Sequence, residues 1–106
     1  MHIVEYPAAR QDIVDYTSYL SIYASENIAR RFVDCVVQSY QDLLENPRIG
    51  SIIQTSHPNL DQIRKWPITN FPNIIVFYRV DIKTITVIRV MHGRRDWVSL
   101  LGDLPE

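Results

Sequence analysis

The chain is poor in the residues that build cofactor sites and covalent staples. It has one cysteine, so no internal disulfide can form. Cys35 stands among Val33, Val36 and Val37, which reads as a reduced thiol in a core. The three histidines, His2, His57 and His92, are scattered and form no Cys/His spacing of the kind that holds zinc. The three glycines, Gly50, Gly93 and Gly102, are too far apart to make a phosphate-cradling loop. No metal or nucleotide cofactor is therefore expected. No apolar run approaches the roughly 20 residues that span a bilayer. The start, Met1-His2-Ile3-Val4-Glu5-Tyr6-Pro7, lacks a basic segment followed by a long apolar one, so no targeting segment is expected and the protein should be cytoplasmic. There are no repeats and no low-complexity tracts.

What remains suits one globular domain over residues 1–106. Apolar residues make up 46% and charged residues 22%, enough for one core without staples. The first seven residues read as a short strand ended by Pro7. From Ala8, the residues Ile13, Tyr16, Leu20 and Tyr23 recur at spacings of three and four and share one helical face, with Gln11, Asp12, Asp15 and Ser18 largely on the other. Ser25 is an N-cap candidate, with Glu26 beside it to favour a helix start. Ile28, Phe32, Val36, Tyr40 and Leu43 form a second stripe, widened by Ala29, Val33 and Leu44, which stops near Asn46-Pro47. Two amphipathic helices joined this closely predict an antiparallel hairpin. Residues 46–62 are hard to read, because Gly50, Pro58 and Asn59 punctuate a stretch that also carries Ile49, Ile52 and Ile53. Ile63 to Thr69 reads as a strand that Pro67 moves towards an edge, and Phe71-Pro72-Asn73 as a turn. Ile74 to Val80 and Thr84 to His92 are strong strands joined through Asp81-Ile82-Lys83. A short final helix is expected from about Arg94 to Leu101. The predicted fold is α+β: an N-terminal strand, a helical hairpin packed on a mainly antiparallel sheet, and a short C-terminal helix.

The charge is unevenly spread. The whole chain carries −1, yet residues 63–95 hold Arg64, Lys65, Arg79, Lys83, Arg89, Arg94 and Arg95 against Asp81 alone, a local +6. That is either a solvated face or a surface made for an acidic partner. Within the last strand, strict alternation puts Ile85, Val87, Arg89 and Met91 on one face and Thr86, Ile88, Val90 and His92 on the other. Both faces are largely apolar, which predicts an internal strand whose second face needs cover, for which a partner segment is one candidate. A mid-strand Arg89 is costly there unless it is paired or faces solvent. The strand runs into His92-Gly93-Arg94-Arg95-Asp96. One reading is a strand terminus in which Asp96 pairs with an arginine. The other is a cluster of His92, Arg94 and Arg95, with Arg89 nearby, that holds phosphate or carboxylate.

Those same residues resemble the C-terminal half of the RelE/ParE toxins of type II toxin–antitoxin systems, with their Phe-Pro turn (Phe71-Pro72), Tyr-Arg strand end (Tyr78-Arg79) and Arg89-Val90-Met91-His92-Gly93-Arg94-Arg95-Asp96 ending. Ala9-x-x-Asp12-Ile13 and Leu44-x-x-Pro47-x-x-Gly50 resemble the family's helix start and helix exit more loosely. The resemblance implies a toxin silenced by a cognate antitoxin protein, with operator DNA reached only through that antitoxin and no membrane partner. ParE-like members, linked to plasmid stabilization, inhibit DNA gyrase by binding. RelE-like members are enzymes that cut mRNA on the ribosome. The near-neutral charge and the Arg95-Asp96-Trp97 ending favour ParE, because ribosome binders are usually strongly basic. On that reading Arg89, His92, Arg94 and Arg95 contact the target, while Arg64, Arg79 and Arg89 contact the antitoxin. On the endoribonuclease reading His92 is the base or acid, Arg89 and Arg95 are clamps, and Tyr78 contributes only if it points outward. Trp66 and Trp97 read as packing anchors.

Overall fold

Pro7 opens the first helix at the position where a missing backbone N–H costs nothing. The computed structural model describes residues 1–55, 57–94 and 100–101. Strand β1 (His2–Glu5) leads into α1 (Pro7–Tyr23), and α2 (Glu26–Glu45) follows. A hairpin-like series then runs β2 (Ser51–Ile52), a 3-10 turn (Pro58–Leu60), β3 (Arg64–Ile68), β4 (Phe71–Val80) and β5 (Thr84–His92). Only Ala24 and Ser25 separate the helices. The Ser25 hydroxyl accepts from the Ile28 N–H at 3.1 Å, so the expected N-cap forms. Ala29, Phe32, Val36, Ser39 and Leu43 are buried at spacings of three and four, which turns one face of α2 onto the sheet. Tyr16 of α1 meets Phe32 of α2 edge-on, with ring centroids 4.9 Å apart. Two apolar residues assigned to the inner stripes lie outside them: Tyr23 is 75% exposed and Val33 also faces solvent.

The five strands make one sheet in the order β1-β5-β4-β3-β2. β1 runs parallel to β5 and every other pair is antiparallel. β5 is therefore internal over its first half. On one face Phe32, Leu43, Val76, Tyr78, Ile85 and Val87 build the core beneath the helices. On the other, Phe77, Ile88 and Met91 are covered by Ile53, Leu60 and Ile63 and by Leu101. The chain thus provides its own second cover, and the segment that is hardest to read in the sequence supplies two of its residues, Ile53 and Leu60.

Four details depart from the sequence reading. Strict alternation along β5 fails, because Phe77 pairs with Arg89 while the next residue, Tyr78, pairs with Val87. That β-bulge inserts one residue and resets the pleat. Val90 therefore joins Ile85 and Val87 under the helices, and Met91 joins Ile88 on the far face. Phe71-Pro72-Asn73 is not a turn but the start of β4; the turn is at Thr69-Asn70, where Asn70 takes a left-handed φ of 65°. β3 is not an edge strand along its whole length, since β2 pairs with Arg64 and Lys65. β2 stops short of Pro67, so on that side the missing N–H of Pro67 faces no strand, and the β3–β4 register shifts just after it. Of the expected final helix, Arg94 stands in a turn, Leu100 and Leu101 are helical, and 95–99 lie outside the described residues.

Candidate functional site

The last β1–β5 pair is Glu5 with Val87, and the chain then leaves the sheet through Tyr6 into α1. The second half of β5 is left without a strand neighbour on that side. Asp12, one turn into α1, fills the gap. Its Oδ2 accepts from the Val90 N–H at 2.9 Å, as a neighbouring strand's carbonyl would. The same carboxylate takes the Arg89 guanidinium two-pronged, from Nε to Oδ2 at 2.6 Å and from Nη2 to Oδ1 at 2.7 Å. Only 13% of the Arg89 side chain and 11% of the Asp12 side chain are exposed. Hydrogen bonding to Asp12 raises the Arg89 pKa further, against the opposing effect of burial. The mid-strand arginine is thus paired inside the protein, and its charge is balanced before any partner arrives. Helical periodicity alone puts Asp12 on the solvent face; the need of Arg89 for a counter-ion is the sequence signal that a buried acid lies near it.

His92 ends β5. Its Nδ1 accepts from the Arg94 N–H at 3.1 Å, which orients the ring and leaves the proton of a neutral imidazole on Nε2. Gly93 donates to the Asn73 carbonyl at 2.8 Å. Its backbone is not left-handed; a Cβ here would stand 3.3 Å from the Ile75 side chain, so the absent side chain allows a close approach. Arg94 is exposed beside it, and Arg95, Asp96 and Trp97 lie outside the described residues.

Tyr78 points inward. It is fully buried, its hydroxyl donating to the Pro47 carbonyl and accepting from the Gly50 N–H, both at 2.9 Å. Burial raises its pKa, partly offset by the Gly50 bond and by Arg64. Arg64 is half-buried and donates to the carbonyls of Arg48 at 3.2 Å and Gly50 at 2.7 Å. The two side chains together pin the exit from α2 to the sheet. Arg79 is half-buried on β4 opposite Thr86. Trp66 packs against the helix-side core, in line with an anchoring role.

Two depressions flank α1. A groove of about 590 Å³ runs between the outer faces of α1 and α2, lined by Thr17, Ser18, Ser21, Ile22, Ala29 and Val33 and by the charged Glu26, Arg30 and Asp34. Ile22 is 73% exposed at its rim. On the opposite flank a cleft of about 460 Å³ lies between α1 and the ends of β4 and β5, lined among others by Asp15, Tyr16, Tyr19, Ile74, Val90 and His92. Of these residues only His92 carries a functional signal in the sequence.

This arrangement has known counterparts. A chain from a solved structure described as the chromosomal ParDE TA system from P. aeruginosa has the same fold, with a TM-score of 0.70 and 16% identity over 87% of this chain and 95% of that one. No curated protein sequence matches. The family model for the ParE toxin of the type II toxin–antitoxin system parDE matches residues 6–97. That match spans both helices, the whole antiparallel sheet and the β5 terminus: the chain belongs to the ParE toxin family of type II toxin–antitoxin systems.

Proposed function

We propose that this protein is the toxin of a parDE-type pair, that it acts by binding DNA gyrase in the cytoplasm and not by cutting RNA, and that a cognate antitoxin holds it silent. The observation that carries the choice between inhibitor and nuclease is the state of the groups a nuclease would recruit. Tyr78 is buried and has both hydrogen-bonding roles of its hydroxyl filled. Arg89 is neutralised by Asp12. Neither is disposed to touch a scissile phosphate, where a base must reach the 2′-hydroxyl and free cations must meet the developing charge. His92 and Arg94 remain accessible at the β5 terminus, and with Arg95 they form the proposed target contact. The overall charge of −1 points the same way, since phosphate-rich ribosomal sites select strongly basic binders.

For the antitoxin, the apolar rim of the helical-hairpin groove suits an amphipathic segment laid along it. Arg64 and Arg79 are the proposed contacts for its acidic residues, and Arg89 contributes through its pairing with Asp12. Such tails commonly order only on binding. No described helix is long and apolar enough to cross a membrane. The test is the supercoiling activity of gyrase in the presence of the purified toxin. Inhibition is the expected result; ribosome-dependent cleavage of mRNA with gyrase unaffected would favour the endoribonuclease reading, with His92 as its acid or base.

A further inference from the structure

The cleft between α1 and the ends of β4 and β5 is lined by residues that, His92 apart, the proposed target contact does not use. Its floor is apolar, with Ile74 and Val90 both buried. One wall is aromatic: the rings of Tyr16 and Tyr19 stack with centroids 5.7 Å apart and planes 19° apart, and Tyr23 continues the row 5.0 Å beyond Tyr19. Tyr19 is 52% exposed even with its ring stacked on Tyr16, which leaves an aromatic face open to the cleft. The wall's charge is negative. Asp12 is balanced by Arg89, but Asp15 bonds only to the Gln11 amide, through Oδ1, and no cation among the described residues pairs with it.

We propose that this cleft receives an arginine side chain of the antitoxin. The inference rests on the toxin–antitoxin reading and adds the chemistry of one contact to it. A guanidinium is planar, weakly hydrated and forked, so it can lie on a tyrosine face and bond Asp15 at its edge, while its methylene stem covers Ile74 and Val90. A lysine ammonium matches the charge but not the plane. The ring of His92, held through Nδ1, presents Nε2–H as a donor. That donor suits a backbone carbonyl of the same segment. The antitoxin is the source favoured by continuity. The hairpin groove and this cleft lie on opposite flanks of α1, with Ser18, Tyr19 and Ile22 spanning the crest between them, so one segment crossing α1 reaches both.

The test has two arms. In the first, purified toxin is titrated with N-acetyl-arginine amide and, separately, with the neutral isostere N-acetyl-citrulline amide, and followed by NMR. Arginine amide should shift the signals of Asp15, Tyr19 and His92 saturably and bind about fivefold more tightly than the citrulline compound, as expected for a partly solvated charge and ring contact. Asp15→Asn should remove that difference while leaving the thermal melt unchanged, because Asp15 is exposed and touches only Gln11. In the second arm, the antitoxin encoded beside the toxin is titrated against wild type and Asp15→Asn, with an expected loss of about fivefold in affinity. Equal binding of the two amides overturns the cation site. Arginine preference combined with undiminished antitoxin affinity in Asp15→Asn overturns the antitoxin as occupant. If wild-type toxin binds no antitoxin at all, the toxin–antitoxin reading fails, and this inference with it.

Discussion

Arg89 on the last strand and Asp12 on the first helix form a two-pronged ion pair across the fold, and the same carboxylate caps the Val90 N–H at the open edge of β5. One aspartate thus replaces a missing strand and neutralises a buried cation. Asp12→Ala should leave Arg89 uncompensated and Val90 unpaired, a loss of about 3 kcal/mol. Arg89→Ala leaves Asp12 its bond to Val90 and should cost less. A double-mutant cycle by urea unfolding should give a coupling of about 2 kcal/mol. A coupling near zero would show that the pair does not hold the fold.

Gly50 and Tyr78 interlock at the exit from α2. A Cβ on Gly50 would fall 2.6 Å from the Tyr78 hydroxyl and 2.7 Å from the Lys65 carbonyl. Gly50→Ala should therefore destabilise strongly. Tyr78→Phe should cost about 2 kcal/mol by orphaning the Gly50 N–H and the Pro47 carbonyl. Combining the two should cost less than the sum, because removing the hydroxyl relieves one clash, but the Lys65 carbonyl and the ring carbon Cε1, 2.9 Å away, keep the double variant below Tyr78→Phe. Full additivity in thermal melts would contradict this geometry.

Tyr40 donates to Glu5 at 2.7 Å, and burial, then that bond, then the charge of Glu5 push its pKa far above the ordinary 10.0. The unfolded phenol ionises near 10.0 while the folded one stays protonated, so ionisation favours the unfolded chain. Stability contributed by Tyr40 is full below pH 10 and declines as pH rises above it. Tyr40→Phe should lose about 1 kcal/mol at pH 8 and show a shallower decline towards pH 11. Tyr78 and Tyr16 are also raised, so the slope should shrink without vanishing. An unchanged alkaline slope would argue against the Tyr40–Glu5 contact.

Much of the fold was legible because its signals are local. The stripe from Ile28 to Leu43, the Ser25 cap and the β-branched run of β5 each specify their own element. What was not legible depends on partners distant in sequence. The bulge opposite Tyr78 follows from how β4 and β5 register, and no residue in β5 announces it. Asp12 looked like a solvent-face acid because periodicity records only its own helix. At the site, the sequence singled out His92 and Arg94, which the structure leaves accessible at the strand end. It grouped Arg89 with them, although Asp12 had already engaged it. The aromatic cleft escaped because Tyr16 and Tyr19 are spaced like any core stripe.

The β5 terminus separates two kinds of function. For a binding inhibitor, Arg94→Glu should weaken target binding and reduce its salt sensitivity, since screening acts on exposed charge pairs. His92→Gln should matter little. A nuclease using His92 for proton transfer should instead lose about 10²–10⁴-fold in rate on His92→Ala. Circular dichroism on each variant guards against misfolding. If Arg94→Glu and the matching change at Arg95 remain folded and fully toxic in cells, this terminus is not the contact surface.

The most direct measurement places one preparation of purified toxin in two parallel assays, gyrase supercoiling of relaxed plasmid and integrity of a reporter mRNA on translating ribosomes. The account predicts dose-dependent loss of supercoiling, reversed by the cognate antitoxin, with the mRNA intact. Cleaved mRNA with supercoiling unaffected would contradict it.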